Sequence, residues 1–119
     1  MKTLKTKIPF LLLLCIVGLY TSCDAQIKNA IKTEVHIYGN CGMCKKTIEK
    51  AGNKKNEAEV NWNKDSKMAT ITYDKTKTDV SRILKRIAEA GYDNEKFTAP
   101  DKAYNDLHGC CQYDRKTQE

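Results

Sequence analysis

The sequence predicts an α+β domain with the element order βαββαβ. Residues 32–38 and 58–73 alternate apolar and polar side chains, as strands with one buried face do. Residues 79–90 place apolar side chains at spacings of three and four, which is the pattern of a helix with one apolar face: Val80, Ile83, Leu84, Ile87 and Ala90.

The first strand, residues 32–38, puts Val35 and Ile37 on one face of the sheet. Residues 39–42 contain two glycines and an asparagine, and they break the alternation. A helix is predicted over residues 43–51, ended by the glycine that follows. This arrangement places the first cysteine of a close pair in the loop and the second in the first helical turn.

The two alternating segments at 58–63 and 69–73 flank a polar turn and predict a β-hairpin. The helix over residues 79–90 has Thr78 available as its N-cap and a glycine just after its end.

A last strand over residues 93–97 completes a ferredoxin-like arrangement, in which two helices cover one face of a four-stranded antiparallel sheet. A short helix through Leu107 is predicted beyond it, because residues 98–101 resemble a capping box with a proline at the helix start. The predicted core is modest, as suits a domain of this size: Val35, Ile37, Ile48, Val60, Ile71, Ile83, Leu84, Ile87 and Phe97.

The front of the 119-residue chain is predicted to be an export signal rather than part of the domain. Three lysines precede an uncharged stretch over residues 8–20, which is too short to span a bilayer but suits a signal peptide. The chain is accordingly divided into a signal peptide, a linker, one domain and a cysteine-containing tail, over residues 1–22, 23–31, 32–98 and 99–119.

The end of this signal resembles a bacterial lipoprotein signal, in which Cys23 would be lipidated and would anchor the protein to a membrane. Tyr20 departs from the usual leucine of such signals. The alternative is ordinary cleavage after Ala25, which would extend the signal over residues 1–25. Either reading predicts an exported protein, in the periplasm or as a lipoprotein of the cell envelope.

Removal of the signal lowers the formal net charge from +6 to +3, because Lys2, Lys5 and Lys7 each carry one charge. An excess this small, spread over lysine-rich turns, is an ordinary solvated surface. Nucleic-acid binding is therefore not predicted.

The mature chain carries two close cysteine pairs, Cys41 with Cys44 and Cys110 with Cys111. Disulfides are one interpretation, since exported proteins meet an oxidising compartment. A bridge between adjacent residues is strained, so two structural disulfides would have to cross between the pairs.

A helix start lowers a thiol pKa, and this placement predicts a stabilised thiolate on Cys44, with Lys45 and Lys46 adding positive charge. Two such thiolates form either a clamp for a soft ion or a redox couple. Sulfur selects Cu(I) or Hg(II), which accept two ligands, whereas Zn(II) normally takes four.

Residues 39–44 leading into residues 45–51 resemble the loop and first helix of the heavy-metal-associated domain. That family includes copper chaperones, modules of copper-transporting ATPases and periplasmic mercury-binding proteins. The resemblance covers residues 32–98. It implies a monomer that holds one metal ion on Cys41 and Cys44 and passes it to a metal-transporting ATPase or another metal-binding domain by thiolate exchange.

Two further positions bear on this resemblance. Tyr92 matches a tyrosine of the family that lies near the cysteines and shields them, although simple packing is an equal alternative. Gly39 stands where the family usually has a methionine that tethers the loop, which predicts a looser or differently folded loop. Met43, between the cysteines, is expected to be a surface or packing methionine rather than a ligand.

The tail carries His108, Cys110 and Cys111, three candidate ligands within four residues. They could form a second metal site, or close over the first pair to give a four-sulfur site, while a disulfide or unused thiols are the alternatives. His36 is expected to be a surface histidine.

The prediction is therefore a binding protein without catalytic activity that carries Cu(I). Mercury scavenging and thiol-disulfide exchange by the same pair are the alternatives. A structural Zn(II) site on Cys41, Cys44, Cys110 and Cys111 is a third. No hydrolase motif or phosphate-binding loop occurs in the sequence.

Overall fold

The computed structural model describes residues 27–115. The predicted signal peptide and the candidate lipidation site at Cys23 lie outside these residues. Within them, no helix has the length and apolar character needed to cross a membrane. The elements in chain order are β1 (Ala30–His36), α1 (Gly42–Gly52), β2 (Ala58–Trp62), β3 (Met68–Asp74), α2 (Val80–Glu89), α3 (Asp101–Asn105) and a single 3-10 turn (Gly109–Cys111).

The three strands form an antiparallel sheet with β3 in the centre, in the order β1-β3-β2. Val35 pairs with Ala69 across β1 and β3, and Val60 pairs with Ile71 across β2 and β3. Because paired residues point to the same face of a sheet, the buried side chains of all three strands share one face and pack with α1 and α2. The α+β class and the predicted hairpin are confirmed.

The predicted core residues are all fully buried, except Phe97, which is half-buried. The structure adds large side chains that the alternating pattern did not single out, above all Tyr92 and Tyr113. Tyr113 comes from the tail, so the tail takes part in the core of the domain rather than trailing from it.

The predicted fourth strand is replaced by a turn in the described chain. Only one bridge, between Ile37 and Asn94, pairs this segment with the end of β1. The Asn94 side chain explains the difference, because its oxygen accepts hydrogen bonds from the backbone N-H groups of Lys96 and Phe97. Such a local side-chain bond offers the backbone an alternative to a strand ladder.

The predicted boundaries of two helices differ from those in the structure. Asp79, not Thr78, is the N-cap of α2, and its carboxylate accepts from the backbone N-H of Arg82 at 2.9 Å. Thr78 is buried instead. Helix α3 ends at Asn105 rather than Leu107, and its N-cap is Pro100, with no side-chain capping bond.

Candidate metal site

The first cysteine pair lies at the start of α1, as predicted. Cys41 is the N-cap residue in extended conformation, and Cys44 follows in the first turn. Their sulfur atoms are 3.9 Å apart. Cys41 is half-exposed, while Cys44 is fully buried in the core, so the pair has one sulfur open to solvent and one enclosed.

The helix start acts on Cys41. Hydrogen bonds from the backbone N-H groups of Cys44 and Met43 lower the pKa of the Cys41 thiol to about 7. From the sequence, this stabilisation was expected on Cys44, whereas the N-cap position belongs to Cys41. A thiolate on Cys41 is therefore available near neutral pH.

Lys45 does not supply the positive charge that was expected beside the cysteines. Its ammonium group binds the Glu49 carboxylate at 2.8 Å, the Asn61 side-chain oxygen at 3.0 Å and the Trp62 carbonyl at 2.8 Å. These bonds join α1 to β2. Lys45 is thus a structural residue of the sheet and helix packing.

The tail brings a third sulfur to the pair. The sulfur atoms of Cys41, Cys44 and Cys111 all lie within 4.8 Å of one another. Cys111 ends the 3-10 turn and is 1% exposed. The four cysteines of the described chain are free thiols, so the crossed disulfides considered from the sequence do not form.

The other two candidate ligands of the tail are exposed and do not belong to this three-sulfur group. Cys110 is exposed, and its sulfur is 3.8 Å from the Met43 sulfur and 4.0 Å from the Cys111 sulfur. His108 is exposed and precedes the 3-10 turn. Among residues 27–115, the four-cysteine set for Zn(II) is therefore not assembled, because Cys110 points to Met43.

Cys111 and Tyr92 form the buried side of the cluster. Burial, together with the nearby Cys44 thiol, raises the pKa of Cys111 to about 12. Burial also raises the pKa of Tyr92 far above its usual range, with the Cys111 thiol adding to the effect. The Tyr92 hydroxyl is enclosed without a hydrogen-bond partner in the described residues. Tyr92 is therefore a packed core residue that lies beside the Cys111 thiol.

Trp62 occupies the place beside Gly39. A Cβ atom on Gly39 would lie 2.9 Å from the Cη2 and Cζ2 atoms of the Trp62 ring. The ring is fully buried, and its N-H donates to the Ile37 carbonyl at 2.9 Å. The loop is thus supported by the tryptophan on β2.

Three residues hold the tail in place, and sequence reasoning missed all of them. The Tyr113 hydroxyl donates to the Gly91 carbonyl at 2.9 Å and accepts from the Asp93 N-H at 2.7 Å. The Arg115 guanidinium binds both oxygens of Asp93, at 2.8 and 2.9 Å. These contacts join residues 20 to 22 positions apart, and no local pattern signals them.

No protein-family model and no curated protein matches the sequence. Two solved structures match the fold. The first, described as the CopZ metallochaperone, has 27% sequence identity and a TM-score of 0.51, and the match covers 54% of this chain and 98% of that one. The chain therefore resembles a metallochaperone in fold, and it has its own cysteine pair at the start of α1. The resemblance to the heavy-metal-associated domain is confirmed.

The second match is a candidate copper-ion-binding protein from Bacillus anthracis, solved in solution, with 22% identity and a TM-score of 0.51. It covers 56% of this chain and 96% of that one, and at this identity it supports the fold alone. The first matched protein is a metallochaperone by description, a metal carrier rather than an enzyme, in agreement with the prediction of a binding protein. The matches span about the length of a heavy-metal-associated domain, so part of this chain has no counterpart in them.

Proposed function

We propose that this protein is a carrier of a soft metal ion, Cu(I) before Hg(II), on the Cys41 and Cys44 thiolates. The observation that carries the proposal is the position of the two sulfur atoms, 3.9 Å apart at the start of α1. Soft thiolates select soft ions, and the copper chaperone among the similar structures favours Cu(I).

The unequal exposure of the two sulfurs suits a carrier. Cys41 reaches solvent and carries the lowered pKa, so an incoming thiolate of a partner can replace it first. Cys44 remains in the core and keeps its bond to the ion until the partner has supplied a second ligand. The partner is accordingly another thiolate site, such as a metal-binding domain of a metal-transporting ATPase.

The test is a competition for Cu(I) between the reduced protein and a coloured Cu(I) chelator. We expect the wild-type protein to withdraw one equivalent of Cu(I) from the chelator. The double variant Cys41→Ser/Cys44→Ser should no longer compete with the chelator for Cu(I). Cys110→Ser is the matched control, since it removes a cysteine outside the pair. Unchanged affinity in the double variant would overturn the proposal.

We also propose that the carrier acts in the cell envelope, anchored through a lipid on Cys23. This rests on the sequence of residues 1–25 alone. The mass of the mature amino-terminal peptide tests it directly. A lipidated Cys23 that disappears in Cys23→Ser supports the anchor, and a mature chain that begins after Ala25 would contradict it while leaving export intact.

A further inference from the structure

We propose that Cys111 is a third ligand of the ion, so that the tail closes the carrier site with a third thiolate. This inference rests on the proposed function and concerns the coordination of the same ion. Cys111 lies in the tail and not in the cysteine loop or in α1, so the tail becomes part of the metal site. The metal class stays the same, but the site becomes trigonal.

The spacing of the sulfurs favours three-fold coordination. With metal-sulfur bonds of about 2.3 Å, the length in zinc-thiolate sites, two opposed sulfurs lie about 4.6 Å apart and two sulfurs of a flat triangle about 4.0 Å apart. Cys41 and Cys44 are separated by 3.9 Å, close to the triangle. The Cys111 sulfur lies within 4.8 Å of both, so the three sulfurs can reach one ion.

Each sulfur of the triangle already has a polar hydrogen nearby. The backbone N-H groups of Cys44 and Met43 face Cys41, and the Asn40 N-H donates to the Cys44 sulfur at 3.5 Å. The enclosed Tyr92 hydroxyl, which has no hydrogen-bond partner in residues 27–115, is the neighbour of Cys111. A Cys111 thiolate would accept from it, and this explains why a buried hydroxyl is kept at this point.

The tail is built to hold Cys111 in place before the ion arrives. The Cys111 N-H donates to the His108 carbonyl at 2.7 Å, which closes the 3-10 turn. The Asn40 side chain donates to the Cys110 carbonyl at 3.2 Å and so links the metal loop to the tail. Tyr113, two residues on, is buried and fixed to Gly91 and Asp93. A ligand held this way costs little ordering when the ion binds.

Binding involves no oxidation or reduction. The ion forms one bond to each sulfur, and every thiol that still carries its proton releases it to solvent. Cys110 stays outside the triangle, because its sulfur faces Met43 at the exposed mouth of the site. The neighbouring cysteines of the tail therefore have different roles, which provides a matched control.

The experiment is X-ray absorption of the protein loaded with one equivalent of Cu(I), for wild type, Cys111→Ala and Cys110→Ala. We expect three sulfur neighbours in wild type and in Cys110→Ala, and two with shorter bonds in Cys111→Ala. The affinity of Cys111→Ala for Cu(I) should fall at least about tenfold, since loss of an outer partner alone costs that much. Size-exclusion chromatography of the same samples should show a monomer, so that all three sulfurs come from the same chain.

Two sulfurs in wild type would overturn the inference, even if Cys111→Ala does not fold. So would three sulfurs that persist in Cys111→Ala, or a loss of the third in Cys110→Ala. The proposed function fails differently, through binding that survives in Cys41→Ser/Cys44→Ser. A two-sulfur site in wild type removes the tail ligand and leaves the carrier function standing.

Discussion

Trp62 and Gly39 share one space beneath the metal loop, with the tryptophan ring where a side chain at position 39 would lie. The loop is thus supported by a side chain of β2. Trp62 is fully buried and its N-H donates to the Ile37 carbonyl, so moving the ring aside would cost its packing and this hydrogen bond. The pair makes the shape of the loop depend on β2.

Gly39→Ala is therefore expected to destabilise the protein by about 1 to 3 kcal/mol, the usual cost of overpacking. Thermal unfolding measures it, and each kcal/mol lowers Tm by roughly 4–8 °C in a domain of this size. In a Trp62→Leu background the same substitution should cost much less. Equal costs in both backgrounds would show that the ring is not what excludes the side chain.

Cys41 is expected to react with iodoacetamide with a half-maximal rate near pH 7, because its pKa is lowered to about 7. The rate should rise as pH increases through 7 and level off above it, since the thiolate is the reacting form. Peptide mass spectrometry assigns the label. Unfolded protein is the control, and its midpoint should return to about 8.5; a folded protein with that same midpoint would contradict the prediction.

Cu(I) binding at pH 8 is expected to release about one proton more from wild type than from Cys111→Ala. The pKa of Cys111 is raised to about 12, so this thiol carries its proton at pH 8 and must lose it to bind the ion. The affinity of wild type should accordingly increase more steeply with pH. Calorimetry in two buffers of different ionisation enthalpy counts the protons, and equal counts would argue against Cys111 as a ligand.

The ion pair between Asp93 and Arg115 is expected to hold the tail to the domain. Arg115→Gln should destabilise the protein by about 1.5–3 kcal/mol, the range for hydrogen bonds to charged groups. It should also increase the labelling of Cys111 by thiol reagents. Lys102→Gln is the control, because it breaks only the exposed pair with Asp106. Unchanged protection of Cys111 in Arg115→Gln would rule out this anchoring role.

Acid should weaken the same anchor. Burial alone would raise the pKa of Asp93, but the Arg115 guanidinium and the Ala99 N-H outweigh it and hold this pKa below the usual range. The contribution to stability is therefore complete above about pH 4, the unfolded value, and is lost as pH falls through the lower folded value. Thermal unfolding from pH 7 to 3 tests this, with Asp93→Asn expected to lack that part of the acid response.

The parts of the structure that follow from local patterns could be predicted from the sequence. Alternation identified the strands around Val35, Val60 and Ile71, and the three-and-four spacing identified the helix around Ile83 and Ile87. The turn at Asn94 could not be predicted in this way. There a side-chain bond to the backbone outweighs a strand pattern that is only a few residues long.

The candidate metal site also has a part set by local sequence and a part set by tertiary contacts. Cys41 and Cys44 are close in sequence, and a loop followed by a helix start brings them together. The choice between Cys110 and Cys111 depends on how the 3-10 turn is oriented by Tyr113, which is a tertiary contact. The likeness to known metal domains gave no information on the tail, since no part of the predicted resemblance extended beyond residue 98.

The central claim is that Cys41 and Cys44 hold one soft ion. Native mass spectrometry of the reduced protein, mixed with equimolar Cu(I) and Zn(II), tests it most directly. Wild type should retain one copper ion per chain and no zinc, and Cys41→Ser/Cys44→Ser should retain no metal. Retained zinc in wild type, or copper that remains bound to the double variant, would contradict it.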